Sequence, residues 1–163
     1  MSTVKRQVEI MVNLPNDPVA MGRLMAIAGS CGTEVLAACS YYSSEGAAVM
    51  LVTNEATRMV RALEGTGFKC KRDSVLLVEI PEKPGLAALL GAKLAAAGIR
   101  ILHTYSFRSE DNREHVVFKT SDDNRAFYLL EVESLVHELA AAKSWRQTVE
   151  IPFEEVHAEP QAA

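Results

Sequence analysis

The residues of this chain that are best suited to bind a small anion lie in the stretch 82–87, ahead of an alanine-rich segment. A helix that begins there offers free backbone N–H groups and a positive dipole end to a carboxylate. Gly85 has no Cβ, so a ligand can approach the backbone closely. Lys83 adds a positive charge, and Glu82 can accept a hydrogen bond from an ammonium group. The predicted ligand-binding residues of this loop are Glu82, Lys83, Pro84, Gly85, Leu86 and Ala87.

A purely structural interpretation of this loop stays open, in which Gly85 only eases a turn and the charged side chains are solvated. A second candidate site lies earlier, where Asp17 precedes a proline, a pattern typical of a helix N-cap. An Asp17 that caps a helix occupies its amides and repels a second carboxylate, and Val19 stands where the later loop has Gly85. We therefore expect mainly a capped helix start. Its candidate contacts, for an ammonium group, are Asn13, Asn16 and Asp17, with Ser40 on the following strand.

Both candidates occupy the same place in an internal repeat. The segments 14–18 and 80–84 each carry an apolar residue and a proline, then two polar residues and a second proline, at an offset of 66 residues. Gly32 and Gly98 align at the same offset. Chance rarely supplies prolines, a glycine and an apolar pattern in one register. The chain therefore contains two copies of one structural unit.

Each copy predicts the element order βαββαβ. Alternating apolar residues indicate strands, and a 3.6-residue apolar period indicates helices. The predicted strands are 8–14, 35–42, 47–52, 68–71, 75–80, 99–108, 115–120 and about 149–153, with helices from 18, 54, 85 and 124. This order predicts an α+β, ferredoxin-like fold, repeated twice, with an antiparallel sheet and helices on one face. We assign one domain to residues 4–72, a second to 73–156, and a frayed tail to 157–163.

The second copy resembles the ACT domain family. The resemblance rests on the strand and polar loop of residues 78–83, on Pro84-Gly85-Leu86-Ala87 at the helix start, and on Gly98-Ile99-Arg100-Ile101 before the next strand. It covers about residues 4–140 in two copies and is most similar to stand-alone tandem-ACT proteins. The resemblance implies a regulatory protein that binds an amino acid between two ACT units. The contacts would come from the loop 82–87 and from a neighbouring second strand.

Composition and charge argue against several other functions. The chain has 163 residues, is 48% hydrophobic and carries a net charge of -4 without a basic block, so we expect no nucleic-acid partner. It has neither a long apolar run nor the h-region of a signal peptide, so we expect a cytoplasmic protein with no membrane partner. Its three cysteines lack zinc or disulfide spacing, and no catalytic motif is present. We expect no enzyme activity, no metal and no cofactor.

Two functional interpretations stay open. The first is a non-enzymatic sensor that binds an amino acid or similar small carboxylate at the interface of two ACT-like units. The second is a regulatory subunit that binds and controls an amino-acid biosynthetic enzyme. We also expect a homodimer, because alternation places aliphatic side chains on the sheet face turned away from the helices. These residues are Met11, Leu36, Val75, Leu77 and Leu102.

Overall fold

A computed structural model describes residues 3–44, 46–81, 85–108 and 113–131, all of them within the compact unit Met1–Val132. In chain order the first copy contributes β1 (Thr3–Leu14), α1 (Pro18–Ser30), β2 (Val35–Ser43), β3 (Gly46–Thr53) and α2 (Ala56–Glu64). The second contributes β4 (Cys70–Pro81), α3 (Leu86–Ala96), β5 (Ile101–Arg108), β6 (Arg113–Thr120) and α4 (Asp123–Leu130). The predicted last strand, around residues 149–153, and the end of the last helix lie outside the described residues.

The six strands form one antiparallel sheet in the order β2-β3-β1-β4-β6-β5. The two copies meet where β1 pairs with β4, from Thr3 opposite Glu79 to Val12 opposite Cys70. Each copy places its third strand beside its first and its second strand at the edge of the sheet. β4 joins two predicted strands, 68–71 and 75–80, into one, and it runs through the expected domain boundary. The predicted α+β, ferredoxin-like fold with an antiparallel sheet is confirmed.

The main core lies between the sheet and the helices. Ile10 and Val12 of β1 are fully buried, and they cluster with Leu24 of α1 and Met59 of α2. Burying an aliphatic side chain of this size contributes about 1.5–3 kcal/mol. Helix α1 begins as its sequence predicts, because an Asp17 carboxylate oxygen accepts a hydrogen bond from the amide of Val19 at 2.9 Å. This core fixes which side chains of each strand face the opposite surface of the sheet.

The opposite face of the sheet is also buried at its centre. The edge strands β2 and β5 contact each other although they stand at opposite ends of the strand order, so the sheet curls around this face. A second apolar cluster fills it, made of Ala37, Val52, Val75, Leu77 and Val117, with Leu36, Tyr105 and Phe107 packed against it. The expectation that Val75 and Leu77 form an exposed patch is therefore wrong. The physical reason is that alternation predicts which face a side chain takes but not the curvature that covers that face.

Leu102 is exposed, as expected, and it lies at an irregularity of β5. A register shift between Ile101 and His103 interrupts the pairing of β5 with β6. Beyond it, His103 and Tyr105 turn to the curled interior, and Leu102 remains 54% exposed. Within the described residues, no helix is both long and apolar enough to cross a bilayer.

Candidate functional site

An open cavity of about 630 Å³ lies at one end of the curled sheet face, where the two copies meet. The first copy lines it with Lys5 of β1 and with Glu34 and Leu36 at the start of β2. The second copy lines it with Leu77 of β4 and Phe107 of β5. Because strands of both copies form its walls, the cavity exists only when the sheet curls and brings β2 towards β5.

The charges in the cavity are of both signs. The Lys5 ammonium and the Glu34 carboxylate line it, and neither forms an ion pair with any residue in the described part of the chain. Glu79 differs, because Arg113 forms an ion pair with it and the Thr3 hydroxyl donates to it at 3.2 Å. Among the described residues, Lys5 and Glu34 therefore have no ion-pair partner and can bind the two charges of a zwitterion. Glu79 is already bound by Arg113 and Thr3.

An aromatic pair forms the apolar wall of the cavity. The rings of Phe107 and His115 stack with centroids 4.8 Å apart and planes 13° from parallel. These residues lie opposite each other on β5 and β6. Leu36 and Leu77 add aliphatic surface. A ligand side chain of apolar or aromatic character would lie against this wall.

A buried polar cluster lies beside the cavity, further along the same sheet face. Glu9 of β1 is 1% exposed, and its carboxylate accepts a hydrogen bond of 2.8 Å from the Tyr105 hydroxyl. Nε2 of His103 lies 2.9 Å and 3.1 Å from the two carboxylate oxygens. Burial, followed by the nearby Glu9 carboxylate, raises the pKa of Tyr105, so the phenol stays protonated. The cluster joins the first copy to the second across the curled interior.

Sequence reasoning missed this cluster. The alternation of β1 does place Glu9 on the face away from the helices. Glu9 and Tyr105 lie on strands that are not neighbours in the sheet, however, so no pairing rule brings them together. Glu9 is the one acidic residue of β1, and this was the available signal.

The loop predicted to bind the ligand is described only in part. Glu82, Lys83 and Pro84 lie outside the described residues. Gly85 is the N-cap of α3, with φ at 86°, in the left-handed region that favours glycine. Leu86 is fully buried in the core, and Ala87 is half-buried in the first turn of the helix. Pro81, the last described residue before this loop, follows Glu79 of the cavity wall on β4.

The residues predicted for the first copy lie away from the inter-copy cavity. Asn13 and Asp17 line a smaller cavity of about 360 Å³, together with Arg23 and Phe68. Asp17 is occupied as the cap of α1, as expected. The remaining two predicted residues are exposed, one in the loop before α1 and one on the edge strand β2: Asn16 and Ser40.

Metal and thiol chemistry have little support in the described part of the chain. No group of three or more His, Cys, Asp or Glu side chains there has the geometry to hold a metal ion. The cysteines are free and half-buried at positions 31, 39 and 70. Burial raises the pKa of the Cys70 thiol, which makes it less reactive.

Comparisons with known proteins give matches among solved structures. No protein-family model matches the chain. No curated protein matches it either. Protein BT0572 from Bacteroides thetaiotaomicron matches with a TM-score of 0.66 and 22% identity, over 79% of this chain and 88% of that one. The regulatory subunit of aspartate kinase from Thermus flavus matches with a TM-score of 0.56 and 16% identity, over 79% and 94%.

The corresponding subunit from Thermus thermophilus gives a TM-score of 0.55 at 13% identity, over 79% of this chain and 93% of that one. The chain has the fold of these regulatory subunits. At such identities the likeness extends to the fold alone, an ACT-like arrangement of a six-stranded sheet and helices. Which ligand binds, and where, must be argued from the residues of this chain.

Proposed function

We propose that this protein is a non-enzymatic, tandem ACT-type sensor that binds an amino acid, or a similar small carboxylate, in the cavity between its two copies. The observation that carries the proposal is the presence of Lys5 and Glu34, unpaired within the described residues, in one cavity with the Phe107–His115 wall. An amino acid carries a carboxylate that can pair with Lys5 and an ammonium group that can pair with Glu34. Its side chain can pack against the Phe107–His115 wall. The shared fold with regulatory subunits of aspartate kinase supports a regulatory role.

The loop 82–87 belongs to the same proposal. β4 leads from Glu79, on the cavity wall, to Pro81, where this loop begins. In the proposal, the first amides of α3 add to the binding of the ligand carboxylate. The left-handed Gly85 gives the backbone a turn without a side chain at that point.

Calorimetric titration with each of the twenty amino acids tests the proposal directly. For a ligand that binds, Lys5→Met should weaken affinity roughly tenfold, which corresponds to about 1.4 kcal/mol. That value lies between an exposed ion pair, about 0.2–1 kcal/mol, and a hydrogen bond to a charged group, about 1.5–3 kcal/mol. Glu34→Gln should have a similar effect through the ammonium group.

Lys93→Met is the matched control, because it removes the same charge from the last turn of α3, outside the cavity lining. It should leave the affinity unchanged. A bound ligand at 100 times its dissociation constant should also add about 2.7 kcal/mol to the stability. If no amino acid binds, or if Lys5→Met and Lys93→Met behave alike, the proposed site is wrong.

A second candidate function is that of a regulatory subunit that binds a metabolic enzyme. The observation in its favour is that two of the matched structures are regulatory subunits of aspartate kinase, each covered almost completely by this chain. Affinity capture from a native cell extract, with and without the ligand found by calorimetry, tests it. A stoichiometric enzyme partner supports this function, and capture of no enzyme leaves the free sensor.

A further inference from the structure

A second open cavity, of about 750 Å³, lies at the N-terminus of α2 and contains an unusual polar group. Thr53, the last residue of β3, lines this cavity and is 1% exposed, and its hydroxyl has no hydrogen-bond partner among the described residues. A buried hydroxyl without a partner costs about 1–3 kcal/mol, so such groups are uncommon in native proteins. Arg58 and Arg61 of α2 also line the cavity.

The second copy shows what occupies the equivalent place there. Thr120 ends β6 as Thr53 ends β3, and its hydroxyl donates a 2.7 Å hydrogen bond to Oδ1 of Asp123. The amide of Thr120 donates to the same oxygen at 3.0 Å. The other carboxylate oxygen accepts from Lys119 at 2.9 Å and from the Ser74 hydroxyl at 2.5 Å. A carboxylate therefore lies at the N-terminus of α4 with four donors around it.

The equivalence of the two places follows from the backbone. Strands β3 and β6 each have eight residues, and each is followed by two residues and then a helix. In the first copy Asn54 N donates to the Glu34 carbonyl at 3.2 Å, and the Asn54 side chain accepts from Glu34 N at 3.0 Å. In the second, Ser121 forms the same two bonds with Arg100, at 2.9 Å and 3.1 Å. Thr53 thus corresponds to Thr120, and Ala56 to Asp123.

The first copy keeps the threonine hydroxyl of this arrangement but has lost the carboxylate, and Val52 stands where the second copy has Lys119. Ala56 presents only a methyl group where Asp123 presents its carboxylate. The first amide of α2 with a partner in the helical turn is that of Arg58, which donates to the Glu55 carbonyl. The amides of Ala56 and Thr57 come before it and are available as donors at the start of the helix. The Glu55 side chain does not cap the helix and stands 3.9 Å from Arg58 as an exposed pair. The positive charge now comes from arginines of the helix itself.

We propose that the cavity at the N-terminus of α2 binds the carboxylate group of a small acid, in the place that the Asp123 side chain fills in the second copy. The Thr53 hydroxyl and the first amides of α2 would donate to it, and Arg58 and Arg61 would supply the charge. This site is separate from the inter-copy cavity, although Gln7 borders both.

Thermal unfolding of the full chain in sodium acetate, compared with sodium chloride at equal ionic strength, tests the proposal. Acetate should raise the melting temperature of the unmodified protein above that in chloride. Thr53→Val is nearly isosteric. It should raise the acetate concentration needed for the same stabilisation roughly tenfold, as expected for loss of a hydrogen bond to a charged group. Ala56→Asp should raise the melting temperature by itself and abolish the effect, because its own carboxylate fills the site.

Lys93→Met, at a residue outside the lining of both cavities, is the control and should keep the full acetate effect. An acetate effect that Lys5→Met abolishes belongs to the inter-copy cavity and overturns the proposal. An acetate effect that survives both Thr53→Val and Ala56→Asp overturns the proposal, as does the absence of any effect. Inorganic phosphate forms a second arm of the experiment. If phosphate stabilises the protein through Thr53 and acetate does not, the site takes phosphate and the assignment to carboxylates is wrong.

Discussion

Removing the Glu9 carboxylate should destabilise the protein more than any exposed acidic substitution. Glu9→Ala removes a buried carboxylate and leaves the Tyr105 hydroxyl and His103 Nε2, both half-buried, without their common partner. A buried group left unsatisfied costs about 1–3 kcal/mol, and two half-buried groups are affected here, so the expected loss in free energy of unfolding is about 2–4 kcal/mol. For a chain of this length, that lowers the melting temperature by roughly 10 °C.

Urea unfolding followed by linear extrapolation measures this loss. Glu9→Gln keeps an acceptor for Tyr105 and should cost clearly less than Glu9→Ala. Glu64→Ala, an exposed position at the end of α2, is the control and should change stability by no more than about 0.5 kcal/mol. If Glu9→Ala and Glu64→Ala have equal effects, the buried cluster does not stabilise the curled sheet.

The remaining predictions concern pH, the loop glycine and self-association. Burial raises the pKa of Asp123, but hydrogen bonds from Ser74, Thr120 and Lys119 outweigh it and hold the pKa below its usual range. Such a group stabilises the fold at pH values above its unfolded pKa of about 3.9, and this stability is lost as the pH falls through the pKa of the folded state. Asp123→Asn should therefore reduce the fall of the urea midpoint at acid pH. Gly85→Val should cost about 1–2 kcal/mol, because φ is 86° there, whereas Gly85→Asn should cost less; equal urea midpoints would contradict this. Sedimentation velocity at micromolar concentration should show a dimer that Tyr41→Glu, on the exposed edge strand β2, weakens; a monomeric unmodified protein would refute self-association.

The repeat and its local signals predicted most of the fold. Asp17 before Pro18 predicted the capped start of α1, and the alternation of Ile10 and Val12 predicted the face of β1 that meets the helices. Both are local effects, because a side chain bonds to the next turn or follows the two-residue period of a strand. The candidate loop 82–87 came from the same kind of signal, and it stays a prediction.

The sequence did not show how the ends of the sheet approach each other. Alternation predicted Leu77 and Val75 as outward-facing aliphatics, yet the curled sheet buries them in one cluster with residues of β2 and β3. The same curvature creates the cavity between Lys5 and Phe107 and brings Glu9 to Tyr105. These pairs belong to strands that are not neighbours, so their contact depends on the accumulated twist of the whole sheet.

By itself, the sequence determined the order of strands and helices and the helix-facing half of the core, because short-range periodicity and turn chemistry specify these. Only the tertiary structure decided that the second sheet face is an interior, and that the Thr53 hydroxyl is buried without a partner among the described residues. The interior face arises where two distant segments meet. Each segment satisfies its own local rules, and the contact between them is set by long-range packing and by the hydrogen bonds that buried groups require.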